Sequence, residues 1–300
     1  MTRKIALFIL LLLLFAPFLS AKKSSEIKEK KQKFQLFKKK HKTPASEEEI
    51  YNLALAYFYG KPTWLAKLAP KQAEKYKNSR WWRWLYYNTN YQQSLELFQK
   101  LIYEYPLSKY LKDADFYIAE CNYKMKKFDV AIQAYQDFII RYPMDSRTEY
   151  AYFQLGVCHW KQRKKNPLRD QTETQEALRA FEKFIQLYPQ SSRRKQAEEY
   201  IKQAKELLFK KEIKIADFYF KKKEYWQSAL RYHYAWTHYP DMQGADYAIF
   251  QEGVSLWKMG KNKDAEMLFE ELKATHPQSS YIAQIPQLKQ ERKKKRFLKR

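Results

Sequence analysis

Apolar and polar positions along the chain recur in step with five prolines. Pro106, Pro143, Pro189, Pro240 and Pro277 follow a Tyr or, in the last case, His276, and their spacings are 37, 46, 51 and 37. Twelve residues before each stands a small side chain: Ser94, Ala131, Ala177, Ser228, Ala265. Eight before each stands an aromatic ring: Phe98, Tyr135, Phe181, Tyr232, Phe269. Residues four apart share one face of a helix, so each proline is expected to close a helix whose small residue admits a neighbouring helix beside the ring. Ala119, Gly156 and Gly253 mark the close-contact points of the preceding helix in three units. Each unit then reads as a helix-turn-helix that cannot cover its own apolar faces and is covered by the next one in the row.

The first unit departs from the pattern. Tyr51 to Phe58 reads as its first helix, opened by a Ser46-Glu47-Glu48-Glu49 capping box, and its second helix does not start until about Tyr91. An insert, 61–89, lies between them with Trp64, Trp81, Trp82 and Trp84 among basic residues. Ahead of the units, Arg3 and Lys4 precede an apolar run from Ile5 to Leu19 and the small residues Ser20 and Ala21, the order of a secretory signal over 1–21. The run contains Pro17 and falls short of the roughly 20 apolar residues a membrane-spanning helix needs. A basic, solvated arm is expected over 22–45, with ten Lys against two Glu between Lys22 and Lys42. The units fall into an N-terminal half, 46–200, and a C-terminal half, 201–285, followed by a basic tail, 286–300.

Composition narrows the chemistry. Only 5 Gly among 300 residues argues against hairpin-rich β folds and Gly-rich phosphate loops, while 25 Tyr, 19 Phe and 8 Trp supply mass for helix packing. The net charge of +25 favours anionic partners or an anionic surface, and the two basic ends hold more than half of it. Each end reads either as a solubilising run or as a lipid-adhesive one. Cys121 and Cys158 stand 37 apart, as equivalent positions of neighbouring units, and with Ser255 they mark a slot for small buried side chains rather than a bridge. Five scattered His and no nucleophile motif leave no metal, cofactor or catalytic residue to nominate. An exported chain is not expected to meet nucleic acid.

This pattern resembles the tetratricopeptide repeat, with Val254 to Asn262, Ala265 and Phe269 as its cleanest copy. The resemblance implies an all-α fold, a right-handed superhelix of about five tetratricopeptide-like helix-turn-helix units. A narrower likeness rests on Pro106-Leu107-Ser108-Lys109-Tyr110, on Phe138-Ile139-Ile140-Arg141-Tyr142-Pro143, on Arg169-Asp170-Gln171-Thr172 and on Lys211-Glu212-Ile213-Lys214-Ile215-Ala216-Asp217. These segments resemble the BamD family of outer-membrane β-barrel assembly proteins over roughly 46–281. The resemblance implies a non-enzymatic scaffold on the periplasmic face of the outer membrane. Its N-terminal half would engage the C-terminal segments of unfolded barrel proteins, and its C-terminal half the POTRA domains of a BamA-type barrel subunit and its fellow assembly subunits. The chain departs from that family where Lys22 follows Leu19-Ser20-Ala21 in place of a lipid-bearing Cys, so peripheral attachment is expected.

Candidate residues follow from that likeness. Arg231, nine residues before Pro240, is a candidate partner for a POTRA carboxylate, with an ordinary exposed helical Arg as the alternative. Arg169 and Asp170 end the family's characteristic loop. Tyr110, Tyr117, Lys124, Tyr150 and Tyr152 are candidates for a concave receptor offering aromatic walls and a cation, or else belong to the repeat core. Trp81, Trp82, Arg83 and Trp84 have the make-up of a patch for an anionic lipid surface, against a packed third helix in the enlarged first unit. An envelope tetratricopeptide adaptor for pilus biogenesis or cell-division coordination is the competing function.

Overall fold

A computed structural model describes residues 46–62 and 87–287. The signal segment, the arm, most of the tail and the insert's Trp81, Trp82, Arg83 and Trp84 lie outside the described residues. Among the described residues ten α-helices run in order: α1 Glu47–Tyr59, α2 Tyr91–Glu104, α3 Leu111–Lys124, α4 Phe128–Arg141, α5 Thr148–Gln162, α6 Thr172–Leu187, α7 Arg194–Lys221, α8 Tyr225–His238, α9 Ala245–Met259 and α10 Asn262–Thr275. A 3-10 turn, Ile282–Gln284, follows, and a two-residue antiparallel ladder (β1, Lys61–Pro62; β2, Tyr87–Asn88) closes the neck of the insert. Each helix packs on the next, giving five successive hairpins. The capping box is present: Ser46 Oγ accepts from the Glu49 N–H and the Glu49 carboxylate accepts from the Ser46 N–H.

The proline register describes this architecture closely. The residue before each proline ends a helix with φ between −134° and −129°, because the proline ring clashes with an α conformation there. Ser94, Ala131, Ala177, Ser228 and Ala265 are fully buried, and so are Phe98, Tyr135, Phe181, Tyr232 and Phe269. The uneven spacings also have structural causes. Of the nine extra residues in the 46-residue step, six lie in the connection 163–171, and the rest lengthen α5 and α6. The 51-residue step exceeds 37 by 14, the amount by which the 28-residue α7 exceeds the 14-residue α3. Helix α7 runs unbroken across residue 200, so one rod joins the two halves.

A second register sits two residues after the proline. Ser108, Asp145, Ser191 and Ser279 each accept a hydrogen bond from the backbone N–H two residues on, shaping the turn into the next unit. Three of these turn residues also reach back to the preceding unit's first helix: Asp145 to Lys112, Ser191 to Glu149 and Ser279 to Asp246. Units two to four are thereby stapled in order by polar contacts as well as by apolar packing, and Ser279 ties the closing 3-10 segment to unit five.

Units two and three are echoed in units four and five at an offset of 97 residues, the separation of Pro143 and Pro240. Glu120 and Asp217 each accept from the ring hydroxyl 15 residues later, on Tyr135 and Tyr232. Tyr therefore replaces Phe in the aromatic column where the preceding helix supplies a carboxylate to take its hydroxyl. Gly156 and Gly253, also 97 apart, lie under the rings of Phe181 and Phe269: an added Cβ would come within 2.7 and 2.5 Å of them. Those rings are walled in and cannot yield cheaply. Gly253→Ala is expected to cost about 1–3 kcal/mol of stability by overpacking, to be read from urea unfolding; a variant as stable as the parent would show that the helices can part.

Candidate functional site

The first helices of units one to three line a groove of about 560 Å³. Its aromatic walls come from Phe58 and Tyr59 on α1, Tyr91 at the start of α2, Phe116 and Tyr117 on α3, and Tyr150 on α5. The rings brace one another: Tyr117 stacks on Phe98 at 5.3 Å, and its hydroxyl lies 2.6 Å from that of Tyr59. Burial and the Tyr59 hydroxyl push the Tyr117 phenol well up, so that ring stays neutral at any physiological pH.

Three cations enter the same groove. Arg147, at the N-terminus of α5, is a fixed strut. Its Nη1 lies 2.8 Å from Asp113 Oδ1, its Nε donates to Asp145 Oδ1 at 2.9 Å, and its guanidinium sits 4.9 Å from the centre of the Phe116 ring. Asp113 also accepts from Tyr51, and Asp145 also meets Lys112 at 3.0 Å, so one guanidinium ties units one, two and three together. Arg193 lies over Tyr150, 5.0 Å from its ring centre, and 3.7 Å from Glu149. Lys124 is exposed, lies over the Tyr123 ring at 5.5 Å from its centre and makes no ion pair among the described residues, so a ligand carboxylate can still reach its charge.

Glu120 lies at the groove's base, buried and already engaged by the Tyr135 hydroxyl, while burial and Glu120 push the Tyr150 phenol up. Gln154, one helical turn beyond Tyr150, donates to that hydroxyl and leaves its own buried Oε1 without a partner. The groove thus offers aromatic faces, one uncommitted cation and two guanidinium groups. It presents no nucleophile beside a base, and no cluster of three His, Cys, Asp or Glu able to hold a metal occurs among the described residues. Such a surface can bind and position an extended, partly apolar chain carrying a negative charge.

Of the residues nominated from sequence, Tyr117, Lys124 and Tyr150 meet in this groove. Tyr110 stacks on Tyr51 at 4.2 Å, and Tyr152 packs against Tyr188 with Lys183 over its ring; neither lines the groove. Arg169 and Asp170 are exposed in the connection before α6, and Asp170 accepts from the N–H and hydroxyl of Thr172 at that helix's start. Arg231 is half exposed on α8 and donates to buried Glu212 at 3.0 Å. Tyr59, Tyr91, Arg147 and Arg193 were not anticipated. A signal for two of them existed: Arg147 and Arg193 stand four residues after Pro143 and Pro189, the place Tyr110 takes after Pro106. Cys121 and Cys158 are buried free thiols, and Ser255 is buried as well.

A family model described as YfiO, outer membrane lipoprotein, matches residues 84–249, more than half of the chain, and a tetratricopeptide-repeat model matches residues 247–279, the α9–α10 hairpin. No curated protein matches. Among solved structures, the TPR2AB domain of yeast Sti1 in its pHSP90 complex is 12% identical, covering 74% of this chain and 84% of that one at a TM-score of 0.32. Apo RapI is 10% identical, covering 86% and 62% at 0.33. MamA from Desulfovibrio magneticus is 11% identical, covering 72% and 97% at 0.27. At these scores the structural likenesses carry no argument.

Proposed function

The chain belongs to the YfiO outer membrane lipoprotein family, and from that premise we propose that it is a non-enzymatic scaffold subunit of outer-membrane β-barrel assembly, working on the periplasmic face of that membrane. The observation that carries this reading is the groove of units one to three, which Tyr117, Tyr150 and their neighbouring rings line together with Lys124, a cation that makes no ion pair among the described residues. A barrel protein's terminal segment is extended and ends in an aromatic residue bearing a carboxylate. Rings and cation match both of its features. The second contact is with a POTRA protein through the C-terminal half. There Arg231 gives one nitrogen to Glu212 and, half exposed, keeps donors for a carboxylate across the interface. Arg169 and Asp170 flank that half on the exposed connection, Tyr110 and Tyr152 would serve only as support, and Trp81, Trp82, Arg83 and Trp84 would hold the protein on anionic lipid.

Two charge reversals separate the functions. Lys124→Glu is expected to weaken binding of a peptide ending in a free aromatic residue by tenfold or more in fluorescence anisotropy, and to leave co-purification of the POTRA protein from envelopes unchanged. Arg231→Glu is expected to do the reverse. If the amidated peptide binds as tightly as the free acid, the groove does not read a chain end and the proposal fails for this half.

A further inference from the structure

The offset of 97 residues that relates units two and three to units four and five carries the groove with it. A second groove, of about 540 Å³, lies between α7 and α9. Ile213, Asp217 and Tyr247 stand there where Phe116, Glu120 and Tyr150 stand in the first. The base is rebuilt in kind: the Tyr247 hydroxyl donates to Asp217 at 2.9 Å, and Tyr232 donates to the same oxygen from the aromatic column.

The differences change the ligand. Gly244, with φ +97°, occupies the place of Arg147, and Tyr281, four residues after Pro277 as Arg193 is four after Pro189, takes that of Arg193, so both guanidinium groups are gone. An added Cβ at Gly244 would meet the Phe209 ring at 3.6 Å, ordinary van der Waals contact, so an aromatic ring lies against the position from which Arg147 projects in the first groove. Lys214 replaces Tyr117, and Lys210 replaces Asp113. Lys214 is exposed and makes no ion pair among the described residues; Lys210 meets only Glu206, a surface pair that a ligand carboxylate can displace at little cost. These ammonium groups sit four residues apart on one face of α7, a rise of about 6 Å. Alternate side chains of an extended strand repeat at about 6.7 Å. Two carboxylates on alternate residues of an extended peptide therefore fall in register with the two lysines. Tyr247 and Tyr281, 5.5 Å apart, form an aromatic wall for an apolar side chain beside them.

We propose that this second groove docks an internal acidic segment of a partner protein, held extended, with two carboxylates on alternate residues and an apolar or aromatic side chain next to them. The first groove offers one exposed lysine to the single carboxylate of a chain end, whereas two exposed lysines line this one and match two carboxylates. The proposal does not depend on what occupies the first groove.

The test uses the full chain and a labelled peptide, acetylated and amidated so that it has no terminal charge, with a Glu-Phe-Glu core; its partner probe has Gln-Phe-Gln. Fluorescence anisotropy is expected to show the acidic peptide binding at least tenfold more tightly than the neutral one, and Lys214→Glu removing that preference. Because the protein carries +25 charges, the control is Lys195→Glu, which makes the same net change 19 positions earlier on α7, about 28 Å away. It should alter affinity less than twofold, and Lys124→Glu, which makes the same net change in the first groove, should do no more. Equal losses for Lys195→Glu and Lys214→Glu would reduce the effect to overall charge and overturn the proposal. So would equal binding of the two peptides, or a loss on Lys124→Glu as large as on Lys214→Glu.

Discussion

Phe181→Ala is expected to lower the unfolding free energy by about 3–5 kcal/mol, the usual cost of removing a fully enclosed ring. Phe181 has no exposed surface. It lies against Gly156 of α5, stacks on Tyr200 of α7 at 4.7 Å, and meets Phe153 at 5.7 Å, so three helices close around it. The cavity cannot collapse easily, because α7 is a single rod held at its other end by units four and five. In a row of units each stabilised by its neighbours, a defect in the third also weakens the coupling of the two ends. The urea transition should therefore broaden as well as shift, with the fluorescence and helix signals separating. A loss below about 1 kcal/mol with coincident transitions would mean that α5, α6 and α7 repack freely, against the close fit of ring to glycine.

Arg147→Ala is expected to cost about 2 kcal/mol, less than a fully buried pair would, since a quarter of the Arg147 side chain is exposed. The signature lies in the pH dependence. Arg147 holds the Asp145 carboxyl well below the usual carboxylate range, opposed by burial and assisted by Lys112. A carboxyl whose folded pKa is depressed contributes stability that is present above its unfolded value of about 3.9 and is lost as the pH falls from there toward the folded value. The parent should lose stability steadily below about pH 4, and Arg147→Ala should lose less over the same interval, the two converging in acid. Parallel pH profiles would show that Lys112 and the turn backbone, not Arg147, hold Asp145 ionised. Asp113 would also lose its cation, so units one and two should loosen first, as increased amide exchange in α1.

How far the fold was legible from sequence depended on local rules. A proline forbids an α conformation one residue earlier, and a small side chain and a ring four apart share a helical face. Pro106 with Phe98 and Ser94, and the four later copies, could therefore be read without coordinates, and so could the Ser46 cap. The turn residues Ser108, Asp145, Ser191 and Ser279 obey an equally local rule and stood in plain register two places after their prolines. The groove was only partly legible. Tyr117 and Tyr152 look alike as helical tyrosines of adjacent units, yet one faces the groove and the other packs on Tyr188. Which face of a helix is left open depends on where the next two helices cross it.

By itself, then, the sequence determined the unit, its five-fold repetition and the uneven steps between copies, because each rests on contacts within one hairpin or on backbone limits at single residues. Only the tertiary structure decided that Arg147 of the third unit braces Asp113 of the second, that Lys124 shares a groove with rings from three units and makes no ion pair among the described residues, and that Lys210 and Lys214 line a second groove. Those facts arise where one unit meets the next, and the angle at which one hairpin stacks on the next is the sum of many side-chain fits that no single position encodes.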